Sequence, residues 1–194
     1  MKIQNSYAPS FGAKYLNNCF IGKLDESTNK YNQVPSSFVQ IDPKNENDIE
    51  ALANVAKYWR NSKFSTNIYY AACASRNESK YYKNNKIFAL TSQLSDFDRL
   101  DDSKILGIVN VNELEPKHFF GEHIEVHPDI VYSVIPEYKG VGTALDKSLK
   151  QFCNKMSIFP LKLKSVRDFV KRNGYIEHPS NTNLFVWYRD LFER

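Results

Sequence analysis

The sequence predicts an α/β fold of the α+β kind, a sheet flanked by helices. Short apolar segments rich in β-branched and aromatic residues alternate along the chain with segments whose apolar residues recur at helical spacing. Two glycines, Gly140 and Gly142, lie between a predicted strand and a predicted helix. The 194 residues are 42% hydrophobic and 25% charged, as in globular proteins that bury a core.

The N-terminal segment, residues 1–34, is polar and rich in Asn, Lys and Ser. Its apolar residues are scattered without a lasting period, so we expect an extension that is partly disordered or draped on the domain. The folded domain is expected to span residues 35–194, and no internal repeat divides it.

The first half of this domain is expected to hold three strands and two helices. The predicted strands are Ser37–Ile41, Lys86–Thr91 and Lys104–Asn112. The first helix begins at a capping box of Asn47 and Glu50, and its apolar residues continue at helical spacing to Trp59. The second helix is expected over Ser65–Ser75. The segment Glu115–Pro128 fits either a hairpin arm or a long loop.

In the second half, the predicted strand Ile130–Ile135 leads into the glycine turn. The helix after the turn is expected to bury one face, formed by Leu145, Leu149, Phe152 and Met156. Leucine and lysine alternate over Pro160–Lys164, which predicts another strand. A capping box of Ser165 and Asp168 begins the last helix, and Gly174 ends it. The final predicted strand is Leu184–Tyr188.

Composition excludes several classes of protein. The formal net charge of +4 permits an anionic ligand but does not predict nucleic-acid binding, since Lys and Arg are not clustered. The three cysteines, Cys19, Cys73 and Cys153, have no CxxC spacing, which is against a disulfide framework or a zinc site. No signal peptide and no apolar run near ~20 residues is present, so we expect a cytoplasmic protein without a membrane partner.

The glycine turn is suited to binding an anion. The first N–H groups of a helix have no intrahelical partner, and the helix dipole adds partial positive charge there. Glycine lets the chain bend and lets an anion approach the backbone. The dinucleotide fingerprint fails at Leu145, and the Walker A pattern fails because Thr143 follows Gly142. Taken alone, the turn is better explained as an ordinary strand-to-helix connection.

Two segments together resemble the GNAT superfamily of acyl-CoA N-acyltransferases. Val134–Phe152, VIPEYKGVGTALDKSLKQF, is similar to the superfamily's acyl-CoA signature, a strand end followed by Arg/Gln-x-x-Gly-x-Gly/Ala and a helix. Ser165–Glu177 is similar to its segment ending in Phe-Tyr-x-x-x-Gly-Phe. The likeness covers the chain from about Pro35 onward. Each motif is short, and the specificity lies in the ordered pair.

The resemblance implies a GNAT-like mixed, mostly antiparallel sheet that is splayed between its central strands, here Ile130–Ile135 and Pro160–Lys164. Acetyl-CoA is the implied co-substrate and would lie in that cleft, and no metal is expected. The acyl group would pass directly to an amine of a small molecule or a protein, with no covalent enzyme intermediate. A monomer or a homodimer is expected.

The resemblance also implies which residues bind the cofactor. They are Tyr132, Ser133, Val134, Lys139, Gly140, Val141, Gly142 and Thr143. The pyrophosphate would meet the N–H groups of Lys139–Thr143. The pantetheine arm would run along Tyr132–Val134 as a pseudo-strand, and the N–H of Val134 would polarise the thioester oxygen.

The chain departs from the superfamily pattern in its cofactor loop. Read literally, the Arg/Gln position of the signature falls on Glu137, whose charge would repel a pyrophosphate. An alternative alignment assigns that position to Lys139, because Pro-Glu-Tyr-Lys-Gly then matches the common start Pro-Glu-Tyr-Arg-Gly. We prefer this alignment.

The catalytic residues are less well defined. The tyrosine that protonates the CoA thiolate in the superfamily aligns with Val170. Tyr175 is the candidate acid, although packing of the last helix onto the sheet explains this tyrosine better, and water, another residue or no acid at all are the alternatives. An attacking amine must be neutral, and Glu125 is the candidate base. His127, Asp129 and Glu113 are alternatives. Pro128 interrupts the run of acidic and imidazole groups and makes a metal site there improbable.

Two other functions fit the sequence less well. A GNAT-like module that has lost catalysis and binds CoA or a partner would explain the missing acid and the atypical loop. A nucleotide-binding α/β domain would need an acidic residue at the end of a strand about 20 residues after the glycines, and no convincing strand lies there.

Overall fold

The structure is a computed structural model that describes residues 12–59 and 63–191. Within these residues, nine strands form one sheet in the spatial order β6-β1-β2-β3-β4-β5-β7-β9-β8. The strands are β1 Lys14–Asp25, β2 Lys30–Ile41, β3 Asn85–Thr91, β4 Ile105–Glu115, β5 His118–Val126, β6 Tyr138–Lys139, β7 Lys155–Ile158, β8 Ile176–His178 and β9 Asn181–Tyr188. The helices are α1 Glu46–Tyr58, α2 Lys63–Arg76, α3 Pro128–Tyr132, α4 Val141–Lys150 and α5 Lys164–Arg172.

Neighbouring strands are antiparallel throughout this sheet except for β5 and β7, which are parallel. The predicted fold class, a mixed and mostly antiparallel sheet flanked by helices, is confirmed. The parallel pair requires a crossover, and α4 supplies it between β6 and β7.

Helices cover both faces of the sheet, and each face has its own core. Alternate residues of β4 serve the two cores, because successive side chains of a strand point to opposite faces. Ile108 belongs to the core under α1 and α2, whereas Val109 and Val111 belong to the core under α4 and α5. Leu145 and Leu149 of α4 are fully buried in the second core, as their spacing predicted.

The N-terminal segment, predicted to be an extension partly disordered or draped on the domain, is instead largely β-strand over its described residues. From Lys14 onward the expected extension is part of the sheet, because β1 and β2 pair over their whole lengths. Ile21 is fully buried, but the adjacent Phe20 is 66% exposed and the apolar residues of β1 do not alternate regularly with polar ones, so no clear strand pattern is visible in the sequence. Residues 1–11 lie outside the described residues.

The predicted strand Ile130–Ile135 is wrong. His127 caps α3 by accepting from the N–H of Asp129, and Pro128 occupies the first turn, so the chain bends where a strand was expected. The central strand is instead β5, which lies within the segment left ambiguous between a hairpin and a loop. Its polar residues obscured it in the sequence.

Two further boundaries differ from the predictions. The strand after α4 is Lys155–Ile158 and not Pro160–Lys164, so Met156 faces the core from a strand and not from a helix. Helix α1 is capped by Asn45, whose side chain accepts from the N–H of Asp48, and not by Asn47. Helix α5 begins after Leu163 without a side-chain cap, so the Ser165 capping box is also wrong.

The other predicted elements are confirmed. They are the strands within β2, β3, β4 and β9, the helices α1, α2, α4 and α5, and the glycine end of α5, where Gly174 has a φ of 85°. Among residues 12–59 and 63–191, no helix is long and apolar enough to cross a membrane.

Candidate active site

The central strands β5 and β7 separate part-way along their length. They pair from His118 opposite Lys155 to Gly121 opposite Ile158, where β7 ends. Strand β5 continues to Val126. Over residues 122–126, the edge that faced β7 has no strand paired with it in the described part of the chain. We call these five residues the open half of β5. A cleft therefore begins just after Gly121.

The backbone of the open half offers hydrogen-bonding groups to the cleft. The N–H of His127 donates 2.9 Å to the carbonyl of Leu106 on β4. Because successive N–H groups of a strand point to opposite edges, those of Ile124 and Val126 face away from β4 and towards the cleft. This edge can accept an extended ligand as an additional strand.

A β-bulge lies where the open half begins. Asn110 of β4 is opposite His123, but the next residue, Val111, is opposite Gly121, so Glu122 is the extra residue. The buried amide of Asn110 donates from Nδ2 to Oε2 of Glu122 over 2.8 Å. The bulge thus presents a carboxylate at the point where the strands separate.

The glycine turn lies at the entrance of this cleft. Gly140 precedes α4 with a φ of 79°, a left-handed conformation that favours glycine. The N–H groups of Val141, Gly142 and Thr143 have no intrahelical acceptor, because the ladder starts with Ala144 donating to Gly140. A Cβ at Gly142 would lie 3.5 Å from Val126 and 3.4 Å from Phe169, which fixes the turn between β5 and α5.

A cationic cavity adjoins the turn. It has a volume of about 600 Å³ and lies between α4 and α5. Lys147 and Arg172 line it together with Thr143 of the turn and the ring of Trp187. Its charge suits an anionic group, and its position continues the N–H groups of the turn that have no intrahelical acceptor.

The face of β5 beneath α1 and α2, which is opposite the face covered by α4 and α5, carries acidic and aromatic side chains. Glu125 is half-buried on this face, since its partner Ile108 belongs to that core. His123 contacts the ring of Phe64 with 5.4 Å between centroids. Glu125 was predicted from the sequence. Glu122 was missed, because only the bulge reveals its position.

Comparisons with solved structures agree with this geometry. An acetyltransferase assigned to the GNAT family from Desulfovibrio desulfuricans matches with a TM-score of 0.51 and 10% identity, over 79% of this chain and 98% of that chain. A protein from Exiguobacterium sp. 255-15 that is assigned as an acetyltransferase matches with a TM-score of 0.51 and 12% identity, over 81% of this chain and 96% of that chain. The chain has the GNAT fold. No protein-family profile and no curated protein matches the sequence.

Within the GNAT fold, three predicted cofactor residues lie away from the open edge of β5. Tyr132 ends α3, and Ser133 and Val134 follow it in an exposed connection. Val134 is 98% exposed and forms no part of a strand. Tyr132–Val134, predicted to pair with the pantetheine arm, is therefore not a strand in the structure. The strand with an unpaired edge is the open half of β5.

The candidate acid, Tyr175, is buried in an ionic cluster. Its hydroxyl donates to Oδ1 of Asp146 over 2.6 Å, and Nζ of Lys150 donates to Oδ2 of the same carboxylate over 2.6 Å. Burial raises the pKa of Tyr175 well above its usual value. Tyr175 is thus a buried donor that joins α4 to the end of α5, in keeping with the packing role that the sequence favoured for it.

The alternative bases have other partners. The Glu113 carboxylate lies 2.6 Å from Nζ of Lys86, and this hydrogen bond lowers the pKa of Glu113. His127 packs edge-on against Trp59 with 5.2 Å between centroids, and burial lowers the pKa of His127. Asp129 is exposed in the first turn of α3. None of the three lies in the open half of β5.

Proposed function

We propose that this protein is an acyl-CoA-dependent N-acyltransferase that uses acetyl-CoA and acylates an amine of a small molecule or a protein. One observation carries the proposal: in a GNAT fold, the open half of β5, which has one unpaired edge, ends beside a helix N-terminus preceded by a left-handed glycine. That combination suits a cofactor with an anionic diphosphate and an extended arm of amide groups.

The diphosphate would accept hydrogen bonds from the N–H groups of Val141, Gly142 and Thr143. The pantetheine arm would then run along β5 and pair with the backbone of Ile124 and Val126. The four residue-to-residue steps from Val126 back to Glu122 span about 14 Å at ~3.4 Å per step. An arm of that reach would bring the thioester close to the bulge.

Glu122 is the base that this arrangement favours. Its carboxylate would take a proton from the acceptor ammonium, and the neutral amine would attack the thioester carbonyl. A C–N bond forms, the C–S bond breaks, and the proton that the amide nitrogen then loses passes through water to the departing CoA thiolate. Glu125, the base predicted from the sequence, lies three residues nearer the entrance and is the second candidate.

The acceptor would approach from the face of β5 under α1 and α2. Glu122 and Glu125 would attract a cationic amine there, and His123 and Phe64 supply aromatic surface beside them. These groups favour an ammonium-bearing acceptor in general and do not distinguish a small amine from a protein amine.

A second candidate function is a CoA-binding module without catalysis. The observation in its favour is that valine, not tyrosine, stands at the position expected for the acid, Val170, and that Tyr175 hydrogen-bonds Asp146 in the interior. CoA binding without acyl transfer would follow from that arrangement if water cannot replace the acid.

Calorimetry with CoA and acetyl-CoA, followed by thiol-release assays over a panel of amines, tests the proposal. Gly142→Asp adds a negative charge next to the diphosphate position, on a Cβ in van der Waals contact with Val126 and Phe169, and should weaken CoA binding by roughly tenfold or more in a variant whose melting temperature shows that it is folded. Asn67→Asp is the matched control, because it makes the same charge change on the exposed face of α2.

The outcomes separate the candidates. If the wild-type protein does not bind CoA at millimolar concentration, the proposal is wrong. If it binds CoA but releases no thiol with any amine, the binding module is favoured. Equal CoA affinity in both variants, with unchanged melting temperatures, would mean that the glycine turn does not bind the diphosphate.

A further inference from the structure

The tip of the β1–β2 hairpin, residues 22–31, contacts the segment that leads into the glycine turn. This segment, Pro136–Lys139, contains the two-residue strand β6, which pairs with the outer edge of β1. Gly22 is opposite Lys139, and Lys23 is opposite Tyr138. A part of the chain that looked like a polar extension in the sequence thus reaches the entrance of the proposed cofactor site.

Two further hydrogen bonds hold the backbone of this segment. The N–H of Leu24 donates to the carbonyl of Glu137 over 2.8 Å. The hydroxyl of Tyr31 donates to the carbonyl of Pro136 over 2.6 Å, although 105 residues separate the two in the chain. The hairpin tip therefore contacts all four residues of the segment Pro136–Lys139.

The charged side chains of the segment are also engaged by the hairpin tip. Oε1 of Glu137 lies 3.4 Å from Nζ of Lys23. Nζ of Lys139 lies 4.0 Å from the centroid of the Tyr31 ring. The carboxylate that would repel a diphosphate thus has a cation beside it, and Tyr31 makes two of the contacts.

We propose that the hairpin tip is a positioning element of the cofactor site and that Tyr31 is its principal positioning residue. The inference rests on the proposed function. The chain before the segment, residues 131–135, is exposed, so the hairpin tip fixes the turn from this side while α4 fixes it from the other. A turn held at both ends is preorganised for the diphosphate and loses less conformational freedom on binding.

Tyr31→Phe tests this role because it removes the hydroxyl and keeps the ring beneath Lys139. One lost hydrogen bond corresponds to roughly fivefold in affinity. We expect the Kd for CoA, measured by calorimetry, and the KM for acetyl-CoA to rise by about that factor while kcat is unchanged. Tyr31→Ala, which also removes the ring, should weaken CoA binding further. Tyr81→Phe is the matched control, because Tyr81 is exposed on the surface.

Acetyl-pantetheine separates positioning from general destabilisation. It carries the same thioester and arm but no diphosphate, so its kcat/KM should be the same in the wild-type protein and in Tyr31→Phe. An equal loss with both acyl donors, or a Kd for CoA that is unchanged in both Tyr31 variants, would overturn the positioning role. If the wild-type protein does not bind CoA, both the proposed function and the positioning role of Tyr31 are wrong. If the wild-type protein binds CoA and only the Tyr31 variants fail to show the expected loss, the positioning role alone is wrong.

Discussion

The two halves of β5 differ although they belong to one strand. His118–Gly121 is paired on both edges, with β4 and β7, and its Phe119 is buried in the core. Residues 122–126 are paired on one edge, and Ile124 is 42% exposed. The paired half joins the two parts of the sheet. The open half leaves backbone groups that a ligand can satisfy, which is where we locate the proposed function.

The difference arises from local features of the sequence. The bulge at Glu122 bends β5, and β7 ends at Ile158 before the chain turns into α5. An unpaired edge in the middle of a sheet would ordinarily invite pairing with another chain. Here Gly142 of α4 and Phe169 of α5 lie beside Val126 at this edge, and we propose that a cofactor arm, not a strand of another protein, pairs with it.

The largest expected effect is on catalysis, in the open half. Glu122→Gln should lower kcat by about 10²- to 10⁴-fold, because the amide cannot accept the amine proton. It is isosteric and the site is exposed, so the melting temperature should change little. Glu125→Gln is the matched control. A kcat that falls in the control and not in Glu122→Gln would transfer the role of base to Glu125.

A buried carboxylate outside the cleft should affect stability and not catalysis. Burial raises the pKa of Asp48, in α1, from 3.8 to about 6. The folded state therefore binds the proton more tightly, and the free energy of unfolding should fall as the pH rises from about 4 to about 6, by at most about 3 kcal/mol. Asp48→Asn removes this titration, so its melting temperature relative to wild type should increase over that range. A constant difference in melting temperature would contradict the shifted pKa.

In the paired half, a larger side chain should separate the strands. A Cβ at Gly121 would lie 2.8 Å from Cγ2 of Ile158 and 3.2 Å from Cε of Met156. Gly121→Val should therefore lower the free energy of unfolding by about 1–3 kcal/mol in urea titrations. Ile124→Val, at an exposed position in the open half, serves as the stability control and should cost less. Equal stability losses would mean that the two halves are not distinct.

The smallest expected effect concerns the buried cluster. Tyr175→Phe removes the donor to Oδ1 of Asp146 and should cost about 1–2 kcal/mol of stability. Since the hydroxyl is buried, kcat should stay within a factor of about 2, well below the 10²-fold or more that removal of a catalytic acid produces. A loss of kcat of that larger size, in a variant that remains folded, would restore Tyr175 as the acid.

The sequence was informative where pattern and structure depend on local residues. The helical stripe with Leu145 and Leu149 located α4, and the glycines located the turn before it. The sequence was misleading where pairing with a neighbouring strand decides whether a segment becomes a strand. The apolar segment Ile130–Ile135 has the composition of a strand, but no strand among residues 12–59 and 63–191 pairs with it, whereas the more polar β5 pairs with two.

The candidate site shows the same limit. The residues Gly140–Thr143 were placed correctly at a helix N-terminus, because glycine and the helix period are local signals. Glu122 depends on a bulge, which requires the register with β4. The interior position of Tyr175 depends on the packing of α4 against the end of α5. Neither property is encoded in spacing along the chain.

The central claim is that the open half of β5 binds the arm of acyl-CoA, and backbone amide NMR tests it most directly. On titration with CoA, we expect the ¹H–¹⁵N resonances of Ile124 and Val126 to shift and their hydrogen exchange to slow, while those of Phe119 and Phe120 stay nearly unchanged. Saturating CoA that leaves Ile124 and Val126 unaffected and shifts only Tyr132, Ser133 and Val134 would contradict the claim.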